Sequence, residues 1–431
     1  MDRVTAAARP LASAEIIAVG SELLGTSRVD TNSLFLSGRL ASLGIDLLAK
    51  SVVGDDRATL SAAIAAALTR ADLVLLTGGL GPTDDDLTRD VVAGVLGLAM
   101  QERPAIVEQI EERFARRGLR MPAANRRQAM VPDGGVSLDN PNGTAPGLLI
   151  ERGAQVIVLL PGPPRELQPM FDALCAGSLL ARAGLDRTFR ASLFVAGRGE
   201  SHVEEIVQPI YSGWVTDSAP VQTTILAMPG QVELHLAHRA RDPLAGARRV
   251  GAARDELVSA LGRDVFSVDG RSLEEVVGGL LAERGLTISA AESCTGGLLL
   301  SRLTDVPGSS RYVLGGAVAY SNDLKTALAG VPAETMAAHG AVSEAVAVAL
   351  ANGIRARTGS SLAVGITGIA GPGGGSDQKP VGTVAIALTG EGLAARVRLF
   401  SFFGGRPQVK FQASQAALDM VRRGLQFPQG A

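Results

Sequence analysis

The sequence predicts an α/β protein, two layered α/β domains joined by a small α+β unit, and three observations predict it. Short apolar runs that stop at glycine alternate with helical stretches through both ends of the chain, as expected of parallel strands covered on both faces. At 431 residues the chain exceeds what one core supports. Between about 180 and 266 the pattern changes, and residues 231–238 alternate so that one face of a strand stays wet.

Taken in order, residues 1–14 are Ala-rich and patternless and are expected to form a flexible leader. The first domain is expected over 15–178. Residues 16–19 read as a buried strand ending at Gly20, 32–43 as a helix stopped by Gly44, and 57–71 as an Ala-rich helix. Residues 72–77 read as a second strand, 103–117 as a charged helix closing at Gly118, and 155–160 as a third strand running into Pro161-Gly162-Pro163-Pro164. The middle unit, 179–267, carries strands at 191–195 and 231–238 and helices at 201–208 and 243–261, with no catalytic constellation. Its His202, His235 and His238 read as ordinary surface or interface residues, the last two on opposite faces of a strand. The third unit, 268–431, opens with the capping box Ser272-x-x-Glu275 on a helix over 273–284. Strands follow at 286–290, 313–320, 362–367, 383–388 and 396–402, with helices after the first turn, from Asp323 and from Ser343, and over 407–425.

Composition narrows the function classes. Aromatics are only 3%, so the cores must be built from Ala, Val, Leu and Ile, and the 52 glycines cluster in a few loops. A net charge of −2 argues against a dedicated nucleic-acid binder. Cys175 and Cys294 give no disulfide framework or zinc spacing, and the four histidines show no ligand spacing. No secretory h-region and no bilayer-length apolar run is seen, so a cytoplasmic protein with no membrane partner is expected.

Two segments carry chemistry. Gly78-Gly79-Leu80-Gly81-Pro82-Thr83-Asp84-Asp85-Asp86-Leu87-Thr88 follows a strand and opens a helix. Bare N–H groups there bind anions, glycines admit a phosphate, and the carboxyl end of a parallel strand is where open sheets bind ligands. The acidic run supplies oxygen ligands for a divalent cation or hydrogen bonds to a ribose. The plainer reading has the glycines form a tight turn and Asp84 or Asp85 cap the helix.

The second segment, Ala291-Glu292-Ser293-Cys294-Thr295-Gly296-Gly297, sits between a strand and a helix. That geometry exposes a side chain and aims helix N–H groups at a developing oxyanion. Ser293 is the candidate nucleophile and needs a base. The next strand ends in Tyr320-Ser321-Asn322-Asp323-Leu324-Lys325, which offers Lys325 as base, provided its pKa is lowered, with Tyr320 orienting it. Cys294 is the alternative nucleophile, or simply a small buried hydrophobe. The glycine-rich loop from Gly365 to Thr383 suits a phosphate, with Thr367, Ser376 and Lys379 as donors, or it is a flexible connection between strands. Arg406 opens the last helix as a phosphate clamp or as an ordinary exposed arginine.

Residues 15 to about 175 resemble the N-terminal domain of the CinA (competence-damage-inducible) family, itself similar to the MoaB and MoeA folds. The matching pieces are Gly20-Ser21-Glu22-Leu23-Leu24, Asp30-Thr31-Asn32, the Gly78 to Thr88 segment, Asn142-Gly143-Thr144-Ala145-Pro146-Gly147 and Leu160-Pro161-Gly162-Pro163-Pro164. Ser21 departs from the Asp or Thr often found there. The resemblance implies hydrolysis of the ADP-ribose pyrophosphate with a divalent metal ion, Asp85 and Asp86 lying by the diphosphate as metal ligands. It places Glu22, Asn32, Gly78, Gly79, Gly81, Thr83 and Thr88 around the nucleotide.

Residues 272 to about 425 resemble the CinA C-terminal domain, the PncC-like nicotinamide-nucleotide amidases. The resemblance rests on residues 291–297, Pro307-Gly308-Ser309-Ser310, Tyr320-Ser321-Asn322 with Lys325, His339-Gly340-Ala341-Val342-Ser343 and the Gly365 to Thr383 loop. It implies conversion of nicotinamide mononucleotide and water to nicotinate mononucleotide and ammonia, without a cofactor. Ser293 and Lys325 would form the catalytic pair with Tyr320, and Thr295, Gly296, Ser310, Thr367, Gly368, Gly373, Gly374, Ser376 and Arg406 would surround the substrate. The family places a KH-like fold in the middle unit; no Gly-x-x-Gly loop occurs there, so nucleic acid is not an expected partner, while a homodimer is. The resulting expectation is a bifunctional enzyme of pyridine-nucleotide salvage. Its competitors are a non-catalytic nucleotide- or pterin-binding scaffold, and an active amidase with a binding-only N-terminal domain.

Overall fold

The longest apolar runs become the central strands. The computed structural model describes residues 9–26, 28–390 and 393–428. Their backbone separates into two units, one of residues up to Phe189 with Arg239–Gly246, the other of Arg190–His238 with the chain from Ala247. The architecture is the α/β class expected.

The first unit begins β1 (Ser13–Val19), α1 (Asn32–Ser42), β2 (Asp46–Val53), α2 (Arg57–Leu68), β3 (Leu73–Thr77) and α3 (Thr88–Leu96). Then come β4 (Met100–Glu102), α4 (Pro104–Ala115), β5 (Met130–Pro132), β6 (Val136–Leu138), β7 (Gly147–Arg152), β8 (Gln155–Leu160), α5 (Pro164–Ala176) and α6 (Ser178–Arg182). The six-stranded sheet runs β2-β1-β3-β8-β7-β6. It is parallel from β2 to β8, whereas β7 and β6 are antiparallel. The connection from β7 to β8 is too short for a crossover and must fold back as a hairpin. Alternate residues face alternate layers: Ile17, Val74, Leu76, Ile157 and Leu159 join one core, and Ile16, Leu73, Leu75, Val156 and Val158 the other.

Of the expected leader, residues 1–8 lie outside the described residues. Its remainder is corrected by Leu11, which is buried and whose N–H donates to the Arg182 carbonyl (2.8 Å). One large apolar side chain in an Ala-rich stretch was enough to anchor the chain beside α6.

The chain continues with β9 (Arg187–Ala196), α7 (Glu200–Trp214), β10 (Gln222–Met228), β11 (Gln231–Ala240), α8 (Pro243–Leu261) and β12 (Val265–Ser267), whose sheet runs β10-β11-β9-β12. His235 meets Ser192 Oγ (2.8 Å) on the half-exposed face of β11, and His238 is buried on the other.

The C-terminal layers are α9 (Leu273–Arg284), β13 (Ile288–Glu292), α10 (Leu298–Asp305), β14 (Val313–Val318), α11 (Asn322–Ala329), α12 (Ala333–His339) and α13 (Glu344–Thr358), then β15 (Leu362–Gly368), β16 (Thr383–Gly390), β17 (Leu393–Ser401) and α14 (Arg406–Gln426). The five-stranded sheet runs β14-β13-β15-β16-β17, parallel among the first three and antiparallel beyond. Its larger residues, among them Ile288, Val364, Ile366 and Ile386, face α9 and α14. The other face offers Ala291, Ala363, Ala385 and Ala387, so α13 comes very close. A Cβ on Gly365 would lie 2.1 Å from the Ala347 carbonyl oxygen, and one on Gly353 would lie 1.5 Å from that of Ala329.

An ionic knot ties α14 to the β12 end of this unit. Arg422 is fully buried and donates to Asp419 Oδ1 (2.9 and 2.6 Å) and to the Arg263 carbonyl (2.8 Å). Arg423 donates to Asp419 Oδ2 (2.6 Å) and to Asp264 Oδ1 (2.8 Å), and Arg198 pairs with the other oxygen of Asp264.

Candidate active site

In the C-terminal layers, β13 delivers the chain into the Ser293 turn. The Ser293 N–H donates to the Ile366 carbonyl (2.9 Å), and the Ala319 N–H donates to the Glu292 carbonyl (2.8 Å). Both neighbouring strand ends are thereby stitched to the turn, which brings Tyr320 to Lys325 to one side of it and Thr367 onward to the other. Ser293 is 7% exposed.

Lys325 is buried on α11, and its Nζ donates to the main-chain carbonyl of Tyr320 (3.1 Å). No ion pair engages it among the described residues. Burial pushes its pKa below the ordinary lysine value, the nearby Cys294 sulfur acting in the opposite direction. The expected role of the Tyr320 phenol is corrected: the backbone carbonyl of Tyr320 holds the lysine. The exposed phenol instead accepts from Arg406 (2.7 Å).

Cys294 packs in the apolar core, and burial pushes its thiol up to about 12. It is the small hydrophobe of the two readings, not the activated thiolate. Cys294→Ala is accordingly expected to keep the rate of any reaction at the Ser293 turn within about threefold of the parent, against the 10²-fold or greater loss that removing a nucleophile brings. A rate measured on the purified variant decides it.

Glu292 is the residue the motif reading missed. Its fully buried carboxylate accepts the N–H groups of Gly297 (3.0 Å), Leu299 (3.1 Å) and Leu300 (2.9 Å), so it caps α10 and fixes the turn. An acid just before a helix start was the available signal. These N–H groups are therefore not free for an oxyanion, contrary to the sequence expectation. The N–H groups of Cys294 and Thr295 remain in the turn, beside the Cys294 sulfur.

Several expected phosphate donors hold the scaffold instead. Thr367 Oγ1 donates to the Ala341 carbonyl (2.7 Å), and Lys379 Nζ donates to those of His339 (3.1 Å) and Val342 (2.7 Å). Ser376 Oγ accepts from the Lys379 N–H (3.2 Å), and Arg406 donates to the Gly371 carbonyl (2.9 Å) as well as to Tyr320. A Cβ at Gly368 would lie 2.8 Å from the Thr383 carbonyl, so that glycine serves sheet packing. Gly373 and Gly374 remain open and exposed, as does Ser310. Thr295 is fully buried with its Oγ1 unpartnered, and Gly296 takes the left-handed φ of 63° that the turn requires.

The first unit holds a second site, a cavity of about 910 Å³ at the carboxyl ends of β1 and β3. Glu22, Asn32, Gly78, Gly79, Gly81, Asp85 and Asp86 line it, with Thr144, Pro161 to Pro164 and Glu166. Gly78 sits at φ 95°, and a Cβ there would lie 2.2 Å from the Val19 carbonyl oxygen, so no side chain fits. Asn32 donates through Nδ2 to the Gly162 carbonyl (2.7 Å), leaving its buried Oδ1 without a partner. That atom is an acceptor for a ligand hydroxyl or amino group.

The acidic run divides. Asp86 Oδ1 accepts the Gly81 N–H (2.6 Å), and Oδ2 accepts the Thr83 N–H (2.9 Å) and hydroxyl (2.6 Å). Both oxygens thus hold the loop, and the carboxylate also lines the cavity beside Asp85. Thr88 is likewise internal, donating to the Gly78 carbonyl (2.8 Å). Behind the loop, buried Arg89 donates to the Leu80 (2.8 Å) and Gly81 (3.0 Å) carbonyls, and burial lowers its pKa to about 10. Asp85 stays exposed on the cavity wall. Among the described residues no group of three or more His, Cys, Asp or Glu side chains forms a metal cage, and no helix is long and apolar enough to cross a membrane.

Comparison with known proteins accords with this division. Residues 270–425 match the CinA C-terminal domain family, and residues 15–181 match the probable molybdopterin binding domain family. A CinA-like protein of Koribacter versatilis is 49% identical over 419 residues, covering 96% of this chain and 99% of its own. A putative competence-damage inducible protein of Symbiobacterium thermophilum is 46% identical over 424 residues, covering 96% and 98%. Among solved structures, a competence-damaged protein (CinA) superfamily protein from Klebsiella pneumoniae is 34% identical, covering 36% of this chain and 98% of its own with a TM-score of 0.35. With relatives this similar over nearly their whole length, the chain belongs to the CinA family.

Proposed function

We propose that the C-terminal layers deamidate nicotinamide mononucleotide and that the N-terminal unit hydrolyses the pyrophosphate of ADP-ribose. The observation that carries the first assignment is Lys325, a buried lysine held by a single carbonyl and no carboxylate, flanking the Ser293 turn. Burial favours its neutral form, the form a general base requires.

In this reading Lys325 Nζ takes the Ser293 hydroxyl proton as Oγ attacks the carboxamide carbon. The C–N bond then breaks, and the lysine returns the proton to the departing ammonia. Water, deprotonated by the same lysine, cleaves the acyl-serine to give the carboxylate and regenerates Ser293. Ammonia measured from nicotinamide mononucleotide is the test; folded protein that releases none overturns the assignment.

For the N-terminal unit, the cavity joins a backbone-lined glycine loop to the unpartnered Asn32 acceptor, as suits a nucleotide diphosphate. A divalent cation carried in on the diphosphate would neutralise its charge, with Asp85 and Asp86 on the cavity wall as the carboxylates to meet it. Asp86 in addition holds the loop through the Gly81 and Thr83 donors. Asp86→Ala should therefore weaken ADP-ribose binding at least about tenfold even without added metal, since it frees the Gly81 and Thr83 donors together. Calorimetry with and without magnesium checks this, and AMP release tests the hydrolysis. Binding of ADP-ribose without AMP release would instead favour a binding-only unit.

A further inference from the structure

Arg406 and Lys410 stand one turn apart at the start of α14, and their surroundings differ. Arg406, the expected phosphate clamp, braces the scaffold by donating to the Gly371 carbonyl and the Tyr320 phenol. Lys410 is half-buried and makes no hydrogen bond or ion pair among the described residues. Its Nζ lies 3.4 Å from the point a side chain on Gly296 would occupy. Gly296 in turn donates its N–H to the Ser293 carbonyl (3.1 Å), so the ammonium stands at the Gly296 end of the nucleophile turn.

We propose that Lys410 binds the phosphate of the substrate and is the residue by which this site takes a nucleoside monophosphate in preference to the nucleoside. The proposal rests on the amidase reading for the identity of the substrate, and on the geometry around Gly296 for the residue. A half-buried ammonium without a counter-ion is a strong place for a dianion, because little water screens it and no carboxylate competes. Gly296 supplies the space: with no Cβ there, an anion can approach the turn backbone and the lysine together. The other cations expected to serve here are engaged, Lys379 by two carbonyls and Arg406 by the Tyr320–Gly371 brace. The division of labour is then positional, with Ser293 and Lys325 acting on the carboxamide and Lys410 fixing the far end.

The test compares nicotinamide mononucleotide with nicotinamide riboside, which lacks the phosphate, on the full chain and its Lys410→Gln and Lys410→Arg variants. Lys410→Gln is expected to raise KM for the nucleotide about 10- to 100-fold, with kcat little changed and the riboside unaffected. Lys410→Arg should recover most of the loss. Calorimetric binding of nicotinate mononucleotide and nicotinate riboside gives the same comparison without turnover. A Lys410→Gln variant that keeps the parent's nucleotide-over-riboside preference overturns the proposal while leaving the amidase intact. Should the parent release ammonia from neither compound, the amidase reading fails and calorimetry still decides Lys410: a nucleotide preference lost in Lys410→Gln supports it. An unchanged preference, or no binding of either product, overturns it.

Discussion

Ser293→Ala is expected to lower kcat for ammonia release from nicotinamide mononucleotide by at least about 10³-fold, with binding of the nucleotide retained. Lys325→Ala should do the same, and Lys325→Arg should not rescue, because a guanidinium stays protonated and cannot accept the serine proton. The pH profile carries the sign. Burial lowers the Lys325 pKa, so the neutral base appears at lower pH than for a free lysine. Activity should rise with pH through an ascending limb whose midpoint lies below the ordinary value of about 10.4. A rate that survives in Ser293→Ala but vanishes in Cys294→Ala would show that the wrong side chain had been named.

The second large effect is on stability. Asp419→Ala should destabilise the C-terminal unit by about 3–5 kcal/mol, the usual cost of breaking a buried ion pair. It strips the carboxylate from Arg422, which is 0% exposed, and from Arg423, and leaves two guanidiniums facing carbonyls, the Gln426 amide and Asp264. The unfolding midpoint of the variant against the parent measures it. A shift no larger than that of a surface Asp→Ala change would mean that water or Asp264 compensates.

Much of the fold was legible because the strongest periodicities and caps lie where the burial is complete. The helix with the Ser272 capping box runs as expected over Leu273–Arg284, and Gln155–Leu160 is a six-residue strand with every residue after Gln155 buried. Strand Asp46–Val53 was not legible: it lies at the sheet edge, and Asp46 and Lys50 interrupt its apolar residues. At the site the Ser293 turn and its neighbours could be read from motif and topology. The allocation of donors could not. Thr367, Lys379 and Arg406 look like phosphate ligands as residue types, and only folding shows that carbonyls and a phenol already meet them. Lys410 was hidden for the converse reason: a lysine in a helical stretch reads as solvated until the helix is seen to cross the turn.

The near-contact of α13 with its neighbours sets a tolerance on the chemistry. Ser293 is carried by the sheet and Lys325 by α11, one turn before Ala329. α13 packs against both elements: its Ala347 carbonyl abuts Gly365 of the sheet, and its Gly353 abuts the Ala329 carbonyl of α11. The separation of acid and base partners is thus gauged by main chain against main chain, with hydrogen atoms as the only shims. Side chains elsewhere in the core can change size and repack without moving that gauge. A single methyl group inserted at either glycine would push the two reacting groups apart while leaving each of them chemically whole.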